Sequence, residues 1–251
     1  MTLPLALWAA RNRHAIIFGV CFLGAWELLA RNGLKPTVFP PPSSVLASLY
    51  LRGDLIAHHA WLTFYQTIVG FLISALAGVL IGWAIGKSRR LHEAMYPFIG
   101  VLQVLPKEAF APLLVLWFGA GLLSRITLVF LISFFPIVIN TMIGIQGIDE
   151  NVRRYADTLS CRGWKMFFSI EMPSALPAIF TGLKISVTLA VAGALVAEII
   201  AGRDGLGYLL LFASSRLDMS FSLGLLLLVA IWGALLFVAI ELGERWALFW
   251  R

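Results

Sequence analysis

Charged residues are scarce in this 251-residue chain, at 13% against the roughly 25% of an average soluble domain. Hydrophobic residues make up 60% of the sequence. A chain this apolar would present sticky surface to water unless lipid covered it, so composition excludes an ordinary soluble domain and indicates a membrane protein. The net charge of +6 does not favour nucleic-acid binding, because the basic residues are scattered between apolar blocks.

Cysteine and histidine are also scarce, with two and four residues. Cys21 lies in an apolar block and Cys161 in a charged stretch, so we expect no structural disulfide. His58 and His59 are neighbours without a third ligand in view, and we predict no metal site. All four histidines lie outside the predicted spans, and these spans hold no Ser/His or paired-Asp arrangement, which argues against an intramembrane enzyme.

A phosphate-binding loop of the GxxxxGK[ST] type is missing from the sequence, so no nucleotide site is expected in this chain. A signal-peptide cleavage site is not evident either. The first apolar run is followed by RNGLKPTVFPPP, which is no clear small-residue site, and we interpret this run as a retained span.

Six apolar segments are candidates for crossing a bilayer, which takes about 20 mostly apolar residues. They cover residues 15–30, 64–86, 95–123, 126–145, 178–201 and 221–242. The third is interrupted by Pro97, Pro106, Lys107, Glu108 and Pro112, so we expect it to be kinked or partly interfacial. Before the second, Val45, Leu46, Leu49 and Tyr50 have helical spacing and predict a short interfacial helix. The fold class is therefore an all-α membrane protein with six transmembrane helices.

Lys and Arg are distributed unequally between the two sides of this arrangement. Eleven lie on the side of both termini, namely Arg11, Arg13, Lys87, Arg89, Arg90, Arg153, Arg154, Arg162, Lys165, Arg245 and Arg251. Six lie on the other, namely Arg31, Lys35, Arg52, Arg125, Arg203 and Arg216. The positive-inside rule then predicts that both termini and the loop after the fourth span are cytoplasmic.

That loop carries a mixed-charge stretch, YADTLSCRGWKMFFSIEMPSALP. As a helix it would place on one side Tyr155, Leu159, Gly163, Met166 and Ile170. Trp164 and Phe168 would lie opposite, where they could fill a pocket on a partner. We expect Gly163 to split the helix, and Pro173 and Pro177 to limit it before the fifth span. On periodicity alone, an amphipathic helix lying on anionic lipid is an equal alternative.

The stretch resembles the cytoplasmic signature of bacterial ABC importer permeases: Glu-Ala-Ala, three residues, Gly, nine residues, Ile-x-Leu-Pro. The positions that fit are Ala156, Ile170 and Pro173. The positions that depart are Arg154, Tyr155, Ser160 and Met172. The motifs FPPPSSVLASL, APLLVLWFGAG, FFPIVINTMIGIQGID and VAEIIAGRDGLGYLL resemble, in order, one branch of these permeases. That branch serves nitrate, sulfonate, taurine, bicarbonate and some pyrimidine-precursor or vitamin-like solutes.

The resemblance implies a type I ABC importer transmembrane-domain fold whose coupling helices sit in a groove of an ATP-binding subunit. Residues 1–60 would form the N-terminal helix and interfacial segment, 61–245 the core with coupling loop 146–177, and 246–251 a cytoplasmic tail. The implied coupling residues are Ala156, Asp157, Ser160, Gly163, Trp164, Phe168, Ile170 and Pro173. Asp157 is predicted to replace the acid missing at Arg154.

The implied partners are two ATP-binding subunits, which would hold the ATP and Mg, a second permease copy and an extracytoplasmic solute-binding protein. The second copy could be identical or a paralogue. The turn in AGRDGLGYLL is expected to face the binding protein. The chain itself would hold no cofactor and lie in the bacterial inner membrane. It would import a small solute such as nitrate, a sulfonate, taurine, bicarbonate or a similar organic anion. The alternative is a pyrimidine-precursor, vitamin-like or aromatic solute; a passive channel would need no such loop.

Polar residues inside spans are candidates for the solute path or its gate. These candidates are Glu198, Asn140, Gln103 and Glu108. A plainer interpretation pairs Glu198 with Arg203, and Gln66 and Thr67 are expected to be interfacial. Small residues recur every four positions in the second span, at Gly70, Ser74, Gly78 and Gly82. We expect this stripe to pack within the chain rather than to form a dimer seam.

Overall fold

The computed structural model describes residues 13–32, 38–158 and 163–249, and every regular element in that part of the chain is helical. The α-helices are α1 (Arg13–Asn32), α2 (Pro42–Leu51), α3 (Gly53–Lys87), α4 (Arg89–Val104), α5 (Ala111–Phe118), α6 (Leu122–Gln146), α7 (Glu150–Thr158), α8 (Trp164–Met166), α9 (Met172–Ala201), α10 (Leu206–Ser215) and α11 (Met219–Ala247). A 3-10 turn (Lys107–Phe110) precedes α5, and a π-helical turn (Phe167–Glu171) precedes α9.

Within the described residues, four helical segments are long and apolar enough to cross a membrane: α3, α6, α11 and the continuous segment Phe167–Ala201. A fifth is formed if α4 and Lys107–Phe118, which meet at a bend of 79°, count as one span. The predicted all-α membrane class is confirmed, as is the helix predicted before the second span, which is α2. Helix α1 covers the first predicted span.

The bend after α4 follows directly from the sequence. Leu105 precedes Pro106 and is extended, with φ −61° and ψ 132°, as expected for a residue before proline. The Lys107 ammonium donates to the carbonyl oxygen of Gln103 at 2.9 Å, which caps the open end of α4. The interruption predicted for the third span is therefore confirmed.

The described residues form two compact units: one holds those up to Ala57 with Leu209–Leu228, the other His58–Tyr208 with Val229 onward. In the first unit, the Glu27 carboxylate joins α1 to the start of α2. It accepts from the Ser43 backbone N–H at 3.1 Å and from the Ser43 hydroxyl at 2.7 Å. Arg31 pairs with the same carboxylate at 2.6 Å.

In the second unit, the small residues of α3 lie directly against α6. A Cβ at Gly70 would lie 2.6 Å from Val129, and one at Gly82 would lie 2.6 Å from the Val138 carbonyl oxygen. The Ser74 hydroxyl reaches the Phe130 carbonyl at 3.1 Å. The prediction that this stripe serves packing within the chain is confirmed.

The segment between α6 and α9 is divided as predicted, because Gly163 lies in a turn with φ +60° and α8 begins after it. The prediction that Pro173 and Pro177 limit the helix is wrong, since α9 contains both. The π turn explains this: the Met172 N–H bonds back to the Phe167 carbonyl, five residues earlier. This wider turn accommodates the missing N–H of Pro173 in the first turn of α9.

Candidate functional site

Glu198 lies close to the end of α9 and is fully buried. Its Oε1 accepts hydrogen bonds from the Thr63 hydroxyl and the Gln66 amide, each at 2.6 Å. Its Oε2 accepts from the backbone N–H of Gly207, also at 2.6 Å. Each of these donors is neutral, and Thr63 and Gln66 are one helical turn apart on α3, which places them on the same face.

The same face of α3 holds the turn that leads into α10. The backbone N–H of Gly205 donates to His59 Nδ1 at 2.9 Å, and the N–H of Leu206 donates to the Thr63 hydroxyl oxygen at 2.9 Å. With Gly207, three successive N–H groups at the start of α10 are satisfied by side chains from other helices. Because His59 Nδ1 accepts, its ring proton is on Nε2.

Glycine is required where this turn passes Glu198. Gly205 has φ +101°, and a Cβ there would overlap the Glu198 carboxylate. A Cβ at Gly207 would lie 2.6 Å from the Leu195 carbonyl oxygen. The turn can therefore approach the carboxylate only because these two positions lack side chains.

A third helix holds the turn through an ion pair. Arg125 on α6 is buried, at 3% exposure, and its guanidinium contacts both the carboxylate and, at 3.3 Å, the carbonyl of Asp204. A buried cation requires such a partner, since an unpaired one would be strongly destabilising. Helices α3, α6 and α9 thus all fix the residues between α9 and α10.

The four candidates for the solute path do not form one cluster. Glu198 is bound in the network above, and Asn140 donates to the Pro136 carbonyl of its own helix at 2.8 Å. Gln103 and Glu108 are exposed near the bend after α4. Within residues 13–32, 38–158 and 163–249, no hydrogen bond joins any two of them.

Several sequence predictions about this region are wrong. Gln66 and Thr67, expected to be interfacial, are fully buried within the protein, and α3 begins ten residues before Thr63. His58 and His59 lie inside this long apolar helix, not outside it. Glu198 bonds to neutral donors rather than to Arg203. The sequence reasoning missed His59, Thr63 and Arg125, although His59, Thr63 and Gln66 have the spacing of one helix face.

A second buried glutamate lies in the π turn before α9. Glu171 is 2% exposed, and its Oε2 accepts from the Trp83 indole N–H at 2.7 Å. Lys87, one turn further along α3, lies 3.3 Å from its Oε1. The buried ring of Phe167 meets Trp83 edge to face at 4.9 Å between ring centroids. These contacts attach the end of the predicted coupling loop to the end of α3.

The predicted coupling residues lie on both sides of the Gly163 turn. Ala156 on α7 is fully buried, whereas Phe168 is 65% exposed. Ile170 and Pro173 are half-buried. Ser160 and the side chains of Asp157 and Trp164 lie outside the described part of the chain.

Comparison with known proteins identifies the relatives of this chain. The family described as "Binding-protein-dependent transport system inner membrane component" matches residues 70–246. A probable ABC transporter permease protein of Haemophilus influenzae is 33% identical over 219 residues, which cover 86% of this chain and 89% of that protein. The formylaminopyrimidine transport permease protein ThiX of Halalkalibacterium halodurans is 30% identical, covering 94% of both. The nitrate import permease protein NrtB of Synechocystis is 33% identical, covering 89% of this chain and 84% of that protein.

Proposed function

The chain belongs to the family of binding-protein-dependent transport system inner membrane components, and we propose that it is the permease subunit of an ATP-driven importer. Six transmembrane helices would cross the bacterial inner membrane, with α1 as the first and the bent pair after α3 as the third. Both termini would lie in the cytoplasm, as the Lys and Arg distribution predicts.

The proposed cargo is a small anion such as nitrate, taurine, another sulfonate or bicarbonate. Relatives named for aliphatic sulfonates, taurine and nitrate support this choice. Relatives named for formylaminopyrimidine and riboflavin support a heterocyclic solute as the alternative. A solute-binding protein would deliver the cargo, and a second copy of this chain would complete the path.

The observation that carries the proposal is the anchored π turn with an exposed aromatic ring. Glu171 fixes this turn to Trp83 and Lys87 at the end of α3, while Phe168 points outward, at 65% exposure. A partner that bound Phe168 would move α3 and α9 together, because the contacts of Glu171 with Trp83 and Lys87 hold the π turn to α3. That arrangement suits a coupling element driven by a separate ATPase.

In the proposed complex, two ATP-binding subunits would hold the ATP and Mg and would bind the coupling loop, residues 146–177. Asp157 would supply the acid that Arg154 replaces in the signature. The solute path or its gate would include Glu198, Asn140, Gln103 and Glu108, with Glu198 acting through the turn that it holds. Closure of the ATPase pair must change contacts at the loop, because identical contacts in both states transmit nothing.

Co-expression with the ATP-binding subunit and measurement of solute uptake tests the proposal. We expect Phe168→Ala to lower both co-purified ATPase and uptake by about tenfold, because exposed aromatic anchors dominate many interfaces. Phe98→Ala is the matched control, since Phe98 on α4 has the same 65% exposure. Flux that continued without ATP or the ATPase would indicate a channel instead. Unchanged coupling in Asp157→Ala would remove that residue from the coupling set.

A further inference from the structure

Three side-chain acceptors bind the three successive N–H groups at the start of α10, and they differ in how they respond to a proton. The N–H of Gly205 donates to His59 Nδ1 at 2.9 Å. The next two N–H groups donate to the Thr63 hydroxyl and to the Glu198 carboxylate. A hydroxyl does not titrate near neutral pH, and a carboxyl group that binds a proton keeps an acceptor oxygen. A protonated imidazole, by contrast, is a donor at both nitrogens, so only His59 among these three stops accepting when it binds one proton.

Protonation of His59 would remove the acceptor of a buried N–H group. Gly205 is buried, and His59 is 9% exposed. A proton on Nδ1 would face the Gly205 N–H across the distance that now joins donor and acceptor. A buried N–H without a partner is strongly disfavoured, so Gly205 would have to move to where water reaches it. The turn between α9 and α10 would therefore open at this point.

The charged and titratable groups near His59 decide whether a positive ring would gain a new partner. They are His58 on the same helix, Tyr208 on α10, Asp204 in the turn, Arg125 on α6 and Glu198 on α9. The Asp204 carboxylate is engaged by Arg125, and the Glu198 carboxylate by three neutral donors. Within the described ranges, neither carboxylate bonds to the ring of His59. A protonated ring thus loses the Gly205 bond without an ion pair in contact to offset the loss.

His59 is close to the water at the start of α3. It lies in the second turn of this helix, and the neighbouring side chain of His58 is exposed. The two imidazole rings meet edge to face, with 5.4 Å between their centroids. In the orientation given under the proposed function, on which this step depends, the start of α3 is extracytoplasmic. A proton would therefore come from the extracytoplasmic side.

We propose that His59 is a proton-binding site that releases the turn between α9 and α10 in mildly acidic surroundings. The neutral ring holds Gly205 in place, and Gly205 passes directly beside the Glu198 carboxylate. Protonation at Nδ1 frees Gly205, and the neighbouring bond from Gly207 to Glu198 loosens with it. Since Glu198 belongs to the proposed solute path or gate, the same proton lowers uptake, a consequence that rests on the proposed function.

The neutral ring stabilises the turn, which fixes the direction of the pH dependence. A free imidazole binds its second proton at about pH 6.5. Above that pH the Gly205 bond contributes its full stabilisation, and below it the contribution is lost as the proton binds. We therefore expect the turn to be closed at neutral pH and open in acid.

Amide hydrogen exchange of the full-length chain in lipid nanodiscs tests the proton site without a partner protein. After correction for the pH dependence of exchange itself, protection of the Gly205 N–H should fall about tenfold between about pH 8 and about pH 5.5. His59→Asn should abolish this fall, because the asparagine amide oxygen takes the place of Nδ1 and does not titrate. His59→Gln should give low protection at every pH, because its amide oxygen extends past that place. His58→Asn is the matched control and should keep the wild-type profile, because His58 is exposed beside His59.

Protection of Gly205 that does not change with pH in the wild type overturns the proposal without any variant. A fall that persists in His59→Asn assigns the proton to another group, such as Glu198, and also overturns it. If neither His59 variant folds, exchange of the His59 Cε1 hydrogen in the wild type reports the protonation of the ring. The proposal then requires the ring to be protonated over the same pH range in which Gly205 loses its protection, and a ring that stays neutral overturns it.

Uptake by the complex with the ATP-binding subunit tests the consequence for transport. The ratio of uptake by His59→Asn to uptake by the wild type cancels the effects of pH on the cargo and on the other subunits. This ratio should rise about threefold between about pH 8 and about pH 5.5. A ratio that stays constant while Gly205 loses protection overturns the control of uptake by this proton. If the wild-type complex shows no ATP-dependent uptake, the proposed function fails, and the exchange measurements still decide whether His59 is the proton-binding site.

Discussion

Glu171 and Glu198 lie near the two ends of one apolar helical segment, Phe167–Ala201, roughly 40 Å apart at the rise of an α-helix. Both side chains are buried, at 2% and 0% exposure. Glu171 has a cation, Lys87, and an indole N–H as partners, whereas Glu198 has three neutral donors. The same residue type thus anchors two different turns by two different kinds of contact.

The partners of the two glutamates differ in whether water can solvate them when the glutamate is lost. Lys87 is 40% exposed, so water can solvate the ammonium if its pair is lost. All three donors to Glu198 belong to buried residues, and each would be left unsatisfied if the carboxylate were lost. We therefore expect substitutions at the turn after α9 mainly to lower the stability of the protein. Substitutions at the π turn should mainly lower uptake.

The largest effect is expected for Gly205→Ala. The new Cβ would overlap the Glu198 carboxylate and also stand at positive φ, so the turn must move. We expect a loss of about 3 kcal/mol or more in the free energy of unfolding, measured by thermal inactivation in detergent. Gly119→Ala is the matched control: Gly119 has φ +79° with open space around it, and should lose only about 1 kcal/mol. Equal losses would show that the Glu198 contact is unimportant.

The second-largest loss of stability is expected for Glu198→Gln. The amide NH₂ would face one of three donors, from Thr63, Gln66 or Gly207, and leave that donor unpaired. We expect a loss of about 2 kcal/mol and a matching fall in uptake. Glu93→Gln, at an exposed site on α4, should change neither quantity. Unchanged uptake and unchanged basal ATPase in Glu198→Gln would remove Glu198 from the gate.

At the other end, Glu171→Gln is expected to cost about 1 kcal/mol. The amide oxygen can still accept from Trp83, and removing a buried charge offsets part of the lost pairing with Lys87. Uptake should nevertheless fall by more than this loss of stability alone would cause, because the proposed coupling loop loses its ionic attachment to α3. Trp83→Phe removes the indole N–H together with part of the ring that packs on Phe167, and should cost at least as much stability. A fall in uptake no larger than that of an equally destabilised variant elsewhere would argue against a coupling role.

The helices were largely predictable from the sequence, because the length and apolarity of a run are local properties. Glu198 was also predictable, since an ionisable residue inside an apolar span stands out. Its partners were not, because Thr63 and Gln66 are more than 130 residues away along the chain and only folding brings them together. Treating Gln66 as interfacial followed from starting the second span at residue 64, whereas α3 begins at Gly53.

The predicted coupling loop, residues 146–177, was also only partly predictable from the sequence. Periodicity predicted a helix split at Gly163, and the signature resemblance predicted its role, but neither predicted the π turn. In that turn Glu171 contacts Trp83 and Lys87 on a different helix, and the Met172 N–H bonds to the Phe167 carbonyl just before Pro173. Both ends of α9 therefore make polar contacts with residues that are distant in sequence. Hydropathy gives no information about such contacts.

The smallest effect is expected for Lys87→Met. The Lys87 ammonium is 40% exposed, and buried Glu171 keeps the indole N–H of Trp83 as a partner when the ammonium is removed, so the loss should stay at about 1 kcal/mol or less and should shrink further at high salt. The methionine keeps the apolar stem against the Trp83 ring, over which the Lys87 ammonium lies at 4.9 Å. Wild type and variant should therefore converge in thermal stability as salt rises toward 1 M, while Glu198→Gln keeps its full loss. A salt-independent loss as large as that of Glu198→Gln would mean that the two glutamates are held in the same way, and the distinction between the two ends of α9 would be wrong.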